Sequence, residues 1–474
     1  MPLYQQLADY LTDLIHRGVY RAGEKLPSLR DMATQKQLSI PTVQRAYELL
    51  EDRRQVEVRA KSGFYVRSSL PSSQQILPLP EFAAPQPSTV NVHDMATGVF
   101  QRCDEAGIIN LGTAYPSAAY LPVRPLQRIA SGLIKHNMEA LVEAHFSPGT
   151  DSLRHVLSQR LAEIGCSVPA DQLVITNGCQ EALAICLRVV AQPGDTIAIE
   201  SPGFVGLLQL IEFMGYKTLE IPCDPERGMS LGALEMALQQ WPVKAVALVS
   251  SYSNPSGSSM PPENRQRLVS LLHKNSIPLI EDDLFGDLSF SGVRDNPCKA
   301  WDENDLVLYC SSASKSIAPG LRVGWIAPGR YLSEVEYFKA FFNVGVPSFS
   351  QLLIAEFMRS GQYDRHLRQL RTLLARQMQN FLQWIFESFP EGTRCSHPYG
   401  GYVLWVRLPE GVDAMMLHQQ AYQSGIGIVP GQLCAPYGDK YSHYIRINCA
   451  ASPEQNLQSA IQTLGFIAKR MMSI

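Results

Sequence analysis

The sequence predicts two folded parts, a small helical head and a large α/β domain whose mostly parallel sheet carries helices on both faces. The chain of 474 residues is too long for one small domain. Residues 1–67 are polar and helical in pattern, and residues 68–92 are rich in Pro, Ser and Gln. Beyond about Ile108, short apolar runs rich in β-formers alternate with longer helical stretches, which predicts the sheet.

Composition and charge narrow the class of protein. Hydrophobic residues make up 45% of the chain and charged residues 18%, as in an ordinary globular protein. We find no membrane-spanning run, secretion signal or metal motif, and the ten cysteines are scattered, so we expect a cytoplasmic protein with reduced thiols. The net charge is −3, yet residues 1–70 carry eleven Lys and Arg against eight Asp and Glu. This asymmetry indicates that the head meets a polyanion.

The head is predicted to contain three helices and a hairpin. Ser28 can cap the second helix in a capping box with Asp31, and Ser39 can cap the third. The residues whose spacing places them in the core of the head are Leu7, Leu11, Leu14, Ile15, Leu29, Met32, Ala33, Val43, Ala46, Tyr47 and Leu50. The run "VEVRAKSGFYV" then alternates apolar and polar residues around Ser62 and Gly63, which predicts a hairpin.

Three helices followed by a basic hairpin predict a winged helix-turn-helix. In that arrangement the third helix enters the major groove of DNA and the hairpin touches the DNA backbone. The residues predicted to contact DNA are Arg30, Ser39, Thr42, Gln44 and Arg45, with Arg59 and Lys61 at the tip of the hairpin. The pattern alone is equally compatible with a small helical module that binds another protein and keeps its charges solvated.

Three motifs in the head carry a family resemblance. The segments "GEKLPSLRDMA", "LSIPTVQRAYELLE" and "SGFYV" resemble the GntR family of bacterial regulators over the whole of residues 1–67. The resemblance implies that the head binds DNA. The family usually has a glycine after the third helix, whereas this chain has "EDRRQ", and the departure bears on the angle at which the wing begins.

In the larger part of the chain, the predicted site is built around Lys315. The run "LVLYC" is a strand by composition, so Lys315 in "SSASKSIAPGLRVGW" follows the carboxyl end of a strand. Open α/β sheets bind their ligands at that edge. A single lysine in a loop is usually a solvated cation, so the case for chemistry depends on the residues that follow the other strands.

Other strands also end beside residues with specific chemistry. In "LVITNGCQEALAICL" a strand, a glycine turn and a helix place the N–H groups of Gly178, Cys179 and Gln180 where they can hold a phosphate. Phe204 follows a strand and is either a ring-stacking residue or part of the core. The remaining candidates are Asn254, Asp282, Ser312, Ser314, Arg322 and Arg446. The last of these lies in an apolar strand and needs a carboxylate partner, from a ligand or from a salt bridge.

Together these residues fit one ligand, pyridoxal 5′-phosphate (PLP), a flat ring with a phosphate, a ring nitrogen, a phenolic oxygen and an aldehyde. Asp282 would keep the ring nitrogen protonated, Asn254 would bind the phenolic oxygen O3′, and Phe204 would stack on the ring. Lys315 would form the Schiff base and, once displaced by an amine, act as a base. Arg446 would bind the α-carboxylate. The predicted phosphate ligands are Gly178, Cys179, Gln180, Ser312, Ser314 and Arg322.

The larger part also resembles a known family. The order Asn254, Asp282, Lys315, Arg322, Arg446 and the motifs "SNPSG", "SKSIAPGLRVGW" and "PYGGYVLW" resemble fold-type I aminotransferases from about residue 108 to the end. With its head, the whole chain is similar to the MocR subfamily of GntR-family regulators. The resemblance implies a winged helix in residues 1–67, a linker in 68–107, and a PLP-binding domain in 108–474 with a small α+β subdomain from about 345. It also implies homodimers with shared active sites.

Two phenols of the aminotransferases are absent. Phe285 stands three residues after Asp282, where a tyrosine usually donates to O3′, and Phe146 stands where a tyrosine of the partner subunit would reach the phosphate. Their loss predicts weak turnover with cofactor binding retained. We therefore expect a transcriptional regulator that senses an amine, an amino acid or PLP through the Lys315 Schiff base. The alternative is an active aminotransferase with a vestigial DNA-binding segment.

Overall fold

Two units make up the structure, a computed structural model in which the chain divides into Met1–Ile76 and Leu77–Ile474. The structure describes residues 2–16, 20, 23–52, 55–59, 62–66, 77–78, 85–143, 146–437 and 440–472. In these residues, no helix has the length and apolar character that crossing a membrane requires.

The first unit is the predicted head. Its elements are α1 (Leu3–His16), α2 (Leu29–Lys36), α3 (Ile40–Asp52), β1 (Val56–Arg59) and β2 (Gly63–Val66). The predicted inner face of α3 is confirmed, because Val43, Ala46, Tyr47 and Leu50 are all fully buried. Both predicted caps are also present: Ser28 Oγ accepts the Asp31 N–H at 3.2 Å, and Ser39 Oγ accepts the Thr42 N–H at 3.3 Å. The antiparallel hairpin pairs Val56 with Val66 and Arg59 with Gly63, as the alternation predicted.

The second unit contains the remaining elements. Its strands are β3 (Ile109–Asn110), β4 (Val174–Thr176), β5 (Thr196–Ser201), β6 (Lys217–Asp224), β7 (Gly228–Met229), β8 (Val243–Leu248), β9 (Leu279–Asp282), β10 (Val307–Ser312), β11 (Gly324–Ala327), β12 (Arg394–Cys395), β13 (Val403–Arg407), β14 (Ile426–Gly427), β15 (Val429–Pro430) and β16 (Tyr444–Asn448). Its helices are α4 (His93–Cys103), α5 (Val123–His136), α6 (Met138–Val142), α7 (Asp151–Glu163), α8 (Cys179–Val190), α9 (Val205–Phe213), α10 (Leu231–Gln240), α11 (Pro262–Lys274), α12 (Leu332–Asn343), α13 (Ser348–Arg359), α14 (Gln362–Ser388), α15 (Ala414–Gln423) and α16 (Leu457–Met471).

An eight-stranded sheet organises this unit, in the order β4-β11-β10-β9-β8-β5-β6-β7. The strand pairs β10–β9, β9–β8, β8–β5 and β5–β6 are parallel, whereas β11 and β7 run antiparallel to their neighbours. The prediction of a mostly parallel sheet is therefore confirmed. Two neighbouring residues of β5 belong to different hydrophobic cores. Ala198 packs in the core that includes α10 and α11, whereas Ile199 packs in the core that includes α8. Helices therefore cover both faces, which is why the central strands are largely apolar.

A smaller antiparallel sheet, β12-β13-β16-β15, lies in the C-terminal part of this unit and packs with α15 and α16. The long helix α14 joins the two sheets, because its first half packs in the core of the larger sheet and its second half in that of the smaller one. Helix α13 packs against α5 and α7. The core of the smaller sheet includes residues from the second half of α14 onward and also Leu111, and the predicted subdomain boundary near residue 345 stays a prediction.

The segment predicted to be a linker, residues 68–107, contains the helix α4. The run rich in Pro, Ser and Gln ends at Val92, and the residues after it have helical spacing that buries Ala96, Val99 and Cys103. Before the helix, the chain pairs with the large sheet at Thr218, where Ser88 forms a β-bridge. The region from residue 85 onward is therefore part of the second unit.

Candidate functional site

Lys315 follows the carboxyl end of β10, on the loop that leads to β11. Its side chain is buried, and its Nζ donates to the backbone oxygen of Ala114 at 2.6 Å. The centroid of the Tyr115 ring is 4.2 Å from Nζ. Burial lowers the pKa of Lys315 to about 8, although the nearby Asp282 carboxyl raises it. The amine is thus shielded from bulk solvent, and its lowered pKa lies close to neutral pH.

Asp282 ends β9 and lies beside β10, because the parallel register aligns it with Cys310. The carboxyl group is buried, and its Oδ1 accepts a hydrogen bond from Cys179 Sγ at 3.6 Å. Burial raises the pKa of Asp282 to about 7, against the opposing effects of Lys315 and Cys179. A buried carboxyl group in this state would be stabilised in its ionised form by a cation placed next to it. Because the Cys179 thiol donates to Asp282, the group that remains for an anion is its backbone N–H, the group that the sequence predicted.

The turn before α8 has the features of an anion-binding site. Gly178 is the N-cap residue at φ +85°, a conformation that suits glycine, and α8 has no side-chain cap. A Cβ at Gly178 would lie 2.5 Å from Arg322 Nη2, so the guanidinium rests directly against the turn. Arg322 also donates to Ser314 Oγ at 3.4 Å and to the Asn177 backbone oxygen at 3.2 Å. A helix N-terminus beside a guanidinium favours a phosphate group.

The side chains of two predicted phosphate ligands form hydrogen bonds within the protein. The side chain of Gln180 donates to the Gly206 backbone oxygen at 2.9 Å, so its backbone N–H is the group that can face an anion. Ser312 Oγ accepts the N–H of Ser314 at 3.2 Å and is buried. Ser312 therefore orients the loop that presents Ser314.

Arg446 lies in β16 and is 1% exposed. Its Nη1 donates to Asn254 Oδ1 at 3.0 Å, and its Nη2 donates to the Gly112 backbone oxygen. In the part of the chain that the structure describes, its buried Nε has no hydrogen-bond partner. Burial lowers the pKa of Arg446. The guanidinium contacts an amide and a carbonyl, and it retains the capacity to bind a carboxylate.

Residues 112–115, which we call the strap, cross the site and were not predicted to belong to it. Besides Lys315, Tyr402 donates to the Ala114 oxygen, at 3.2 Å. Asn448 Nδ2 donates to the oxygens of Thr113 and Tyr115, both at 2.8 Å. The strap acts through backbone carbonyls, which leave no side-chain signature, whereas Tyr402 lies within the quoted motif "PYGGYVLW" and could have been singled out.

The three phenylalanines of the prediction have different surroundings. Phe204 precedes α9 and lines the same small cavity as Asp282. Phe285 is buried, packs edge-to-face on Tyr402 with ring centroids 5.3 Å apart, and lies 5.7 Å from Lys315 Nζ. Phe146 is 65% exposed at the surface. The structure thus brings Phe204 and Phe285 to the site and leaves Phe146 outside it within one chain.

In the head, the side chains of Arg30 and Arg45 are exposed, as a surface that contacts DNA requires. Arg45 Nη1 and Gln44 Nε2 both donate to the Glu48 carboxylate, each at 3.1 Å. Two of the three predicted contact residues of α3, Gln44 and Arg45, are therefore both bound to one acidic residue.

The other predicted DNA contacts lie at the start of α3 and in the hairpin. Ser39 is exposed, and its oxygen both caps α3 and lies 2.7 Å from Thr42 Oγ1. Thr42 itself is half-buried. Arg59 is described by its backbone only, and Lys61 lies outside the described residues.

The residues present in the second unit fit PLP on three counts. The uncapped helix N-terminus with Arg322 suits a phosphate, and the buried Asp282 suits a protonated ring nitrogen. Lys315 is a buried amine of lowered pKa, which suits an aldehyde. The unpartnered Nε of Arg446 additionally suits the carboxylate of a second ligand.

Comparison with known protein families gives two matches. The family model described as aminotransferase class I and II matches residues 109–464. The model described as bacterial regulatory proteins, gntR family, matches residues 3–66. Between them, the two models cover most of the chain.

Individual proteins show the same division. The chain is 36% identical to an uncharacterized HTH-type transcriptional regulator YjiR of Escherichia coli (strain K12), and it is 34% identical to YdcR, which has the same description and source. The matches cover 100% of both chains for YjiR and 98% of both for YdcR. A crystal structure of Pyrococcus horikoshii kynurenine aminotransferase resembles the second unit, with a TM-score of 0.74 and 27% identity over 79% of this chain and 94% of the other.

Proposed function

The chain belongs to the MocR subfamily of GntR-family regulators, which join a winged helix to an aminotransferase class I and II domain, and from this premise we propose a function. We propose that it is a DNA-binding transcriptional regulator whose second unit binds PLP and senses an amine, an amino acid or PLP itself. The observation that carries the proposal is the buried group of Lys315 and Asp282, at the carboxyl edge of the sheet.

The chemistry of this group supports a PLP site. When bound, PLP supplies an aldehyde that reacts with amines and a ring that withdraws electrons. Lys315 offers the amine, and with its pKa near 8 it can take up or release a proton at neutral pH. Asp282, buried and near its own titration point, is stabilised in its ionised form by a protonated ring nitrogen. Arg322 and the turn at Gly178 hold the phosphate.

The class of effector follows from Arg446. Its buried Nε has no partner in the described part of the chain, and its Nη2 contacts only a backbone oxygen in the strap. A carboxylate could replace that oxygen and satisfy Nε as well, in a bidentate arrangement. We therefore propose an α-amino acid as effector, with the carboxylate on Arg446 and the amino group toward Lys315.

A working aminotransferase is the second candidate, favoured by the retention of Lys315, Asp282 and Arg446 together. Phe285 argues for slow turnover. Its ring is buried against Tyr402 and places no hydroxyl near the site, so O3′ would lack one donor. The DNA-binding head has no part in transamination, and its complete core favours the regulator.

Homodimerisation is part of the proposal. Large apolar side chains are exposed on α5, α6 and α12, among them Val142 and Phe341, which are 70% and 80% exposed. An apolar groove of about 380 Å³ runs along α5 and reaches Leu321, close to the Lys315 loop. We propose that a second copy of the chain covers this surface. Sedimentation at micromolar concentration should show a dimer, and a monomer would refute this part.

The cofactor proposal is tested with Lys315→Ala. The full-length protein mixed with PLP should show a visible absorption band that survives gel filtration, and the variant should not. Lys244→Ala is the matched control, because Lys244 is an exposed lysine of β8 that can react with an aldehyde only non-specifically. A band that persists in Lys315→Ala would mean that another lysine holds the cofactor.

The regulator and the enzyme are separated by one parallel measurement. Purified protein with PLP is mixed with a panel of amino acids while the visible band is followed, and the same samples are tested for binding to DNA from the upstream region of the gene. A regulator should bind the DNA, with an affinity that a subset of the amino acids changes. Rapid formation of pyridoxamine phosphate without DNA binding would favour the enzyme and refute the regulator.

A further inference from the structure

A buried ion pair stands behind the turn that faces the phosphate position. Glu181 lies in the first turn of α8, and Lys339 Nζ on α12 is 3.2 Å from Glu181 Oε2. The Lys339 side chain is completely buried. Asn343, at the end of α12, donates to the other oxygen of Glu181 and accepts from Lys339. These three residues form a polar cluster, and none of them was predicted from the sequence to belong to the site.

The cluster reaches the turn through one backbone group. The N–H of Asn177 donates to Glu181 Oε2 at 2.6 Å, and the carbonyl of Asn177 accepts from Arg322. Thr176 Oγ1 donates to the Gly178 oxygen at 3.0 Å. The turn is thus fixed on both sides, with Arg322 on its ligand side and Glu181 behind it. The direction of the N–H groups at the start of α8 depends on both contacts.

The charge of Glu181 has a second consequence. A carboxylate in the first turn of a helix is favoured by the helix dipole, but it lies within one turn of the place where a phosphate would bind. Uncompensated, it would repel that phosphate, and in a poorly solvated location the repulsion is large. Lys339 cancels this charge at close range. Burial lowers the pKa of Lys339, and Glu181 opposes the effect, as in a paired ammonium group.

We propose that Lys339 is a positioning residue for the PLP phosphate: it fixes and neutralises Glu181, which in turn holds the turn at Asn177 and Gly178. The inference rests on the proposed PLP site, and it concerns the phosphate part of the cofactor alone. If Lys339 only stabilised the fold, its loss would weaken the binding of every ligand of the second unit equally.

The experiment compares PLP with pyridoxal, which has the same ring and aldehyde but no phosphate. Dissociation constants for both are measured by absorbance titration of the full-length, cofactor-free protein. Lys339→Met should weaken PLP binding about tenfold relative to pyridoxal, and Lys339→Met with Glu181→Gln should recover most of that loss because no uncompensated charge remains. In the double variant, the amide oxygen that replaces the carboxylate can still accept the Asn177 N–H.

A matched control separates this role from general stability. Lys299 is another buried lysine in an ion pair, 2.8 Å from Asp302, and it lies outside the cluster. Lys299→Met should lower the melting temperature and leave the ratio of the PLP and pyridoxal constants unchanged. An unchanged ratio in Lys339→Met as well would overturn the proposal.

A second pair of variants applies if Lys339→Met does not fold. Both variants remove the charge of Glu181, but Glu181→Ala also removes the acceptor for Asn177 whereas Glu181→Gln keeps it, so the alanine variant should bind PLP, relative to pyridoxal, more weakly than the glutamine variant. Equal ratios in these two variants would again overturn the proposal. Failure of the wild-type protein to bind PLP would instead refute the proposed function, and the two failures are therefore distinguishable.

Discussion

Some residues of the site are buried in charge states that lower the stability of the protein when no ligand is bound. Asp282 is the clearest case: its pKa of about 7 in the folded protein exceeds the ordinary value of 3.8, because burial disfavours the carboxylate. The carboxyl group therefore contributes stability that is complete below about pH 4 and is lost as the pH rises through 7. A cofactor with a cationic nitrogen would reverse this loss.

In the cofactor-free protein, comparison of Asp282→Asn with the wild type should reveal the stability that Asp282 loses as the pH rises. An amide does not titrate, so the unfolding free energy of the variant minus that of the wild type should rise by about 2–3 kcal/mol between pH 5 and pH 8. Chemical denaturation at both pH values measures the difference. A difference that is flat or falls with pH would show that Asp282 is ionised at ordinary pH.

The control for Asp282→Asn is a second buried aspartate whose contribution to stability changes with pH in the opposite direction. Asp302 is buried but paired with Lys299 and two backbone N–H groups, which together hold its pKa below the ordinary value. Its contribution to stability is present above about pH 4 and is lost as the pH falls through its lowered pKa. Asp302→Asn should therefore destabilise the protein at pH 8.

At this scale, the sequence predicted residues whose side chains have specific chemistry at strand ends. Lys315 and Asp282 were singled out in this way, and Arg446 was singled out as an arginine inside an apolar strand. The sequence could not show that Lys315 would bond to a backbone oxygen, or that Cys179 would turn toward Asp282. Such contacts depend on which backbone segments meet in space, and no residue type marks them.

Among the secondary-structure elements, the turn before α8 combines two constraints at Gly178. Alanine there would adopt a positive φ, at a cost of about 1–2 kcal/mol, and its Cβ would collide with Arg322. Gly178→Ala should therefore lower both the stability of the protein and its affinity for PLP. Melting curves and PLP titration measure the two effects separately.

Gly194 provides the comparison for this variant. It has φ +92°, and a Cβ there would meet nothing within 4 Å. Gly194→Ala thus imposes a similar backbone strain without a collision. It should lower the melting temperature and leave PLP affinity unchanged, and an equal loss of affinity in both variants would contradict the role of Arg322 at the turn.

The third helix of the head carries its own internal restraint. Because Glu48 holds Arg45, it competes with a phosphate of DNA for the same guanidinium. Arg45→Ala should weaken DNA binding and reduce the slope of its salt dependence by about one, and Glu48→Gln should strengthen binding. Fluorescence anisotropy over a range of salt concentrations measures both.

Arg359 is the matched control, since it is an exposed arginine of the second unit that pairs with Glu356. Arg359→Ala should leave both affinity and slope unchanged. A loss as large as that of Arg45→Ala would mean that non-specific charge, and not the third helix, dominates binding.

Most elements were predictable because their apolar spacing is regular, and α3 is the best example. Helix α4 was absorbed into the predicted linker, because the composition of the preceding run was extended past Val92. The division of α14 between two cores could not be predicted, since a continuous amphipathic helix gives no sign of where its packing partner changes.

In the molecule as a whole, the chain enters the second unit along a defined path before α4. The N–H groups of Val92 and His93 both donate to Glu212 on α9, at 2.8 and 3.0 Å, and the indole of Trp241 donates to the Pro85 oxygen at 3.0 Å. Glu212 thus caps α4 from a distant element. These contacts anchor residues 85–93 within the second unit.

Glu212→Ala should loosen that anchor. The amides at Val92 and His93 should exchange with deuterium faster, because loss of a helix cap costs about 1 kcal/mol. Hydrogen exchange followed by mass spectrometry measures this. Glu235→Ala, at an exposed glutamate of α10, should not change exchange at these amides. Unchanged exchange in Glu212→Ala would show that packing of α4 alone holds the segment.

The strap gives the molecule a built-in threshold. If an amino acid binds as proposed, its carboxylate would displace the Gly112 oxygen from Arg446, and the Ala114 oxygen would have to release the Lys315 amine. The smaller the fraction of molecules in which the strap has moved away, the weaker is the apparent affinity for the ligand. In a regulator of this kind, a low and steady concentration of amino acid would leave most of the protein without ligand, and only a large rise in concentration would bind it. The dose at which a gene responds would then be tuned by the strap, without any change to the residues that recognise the ligand.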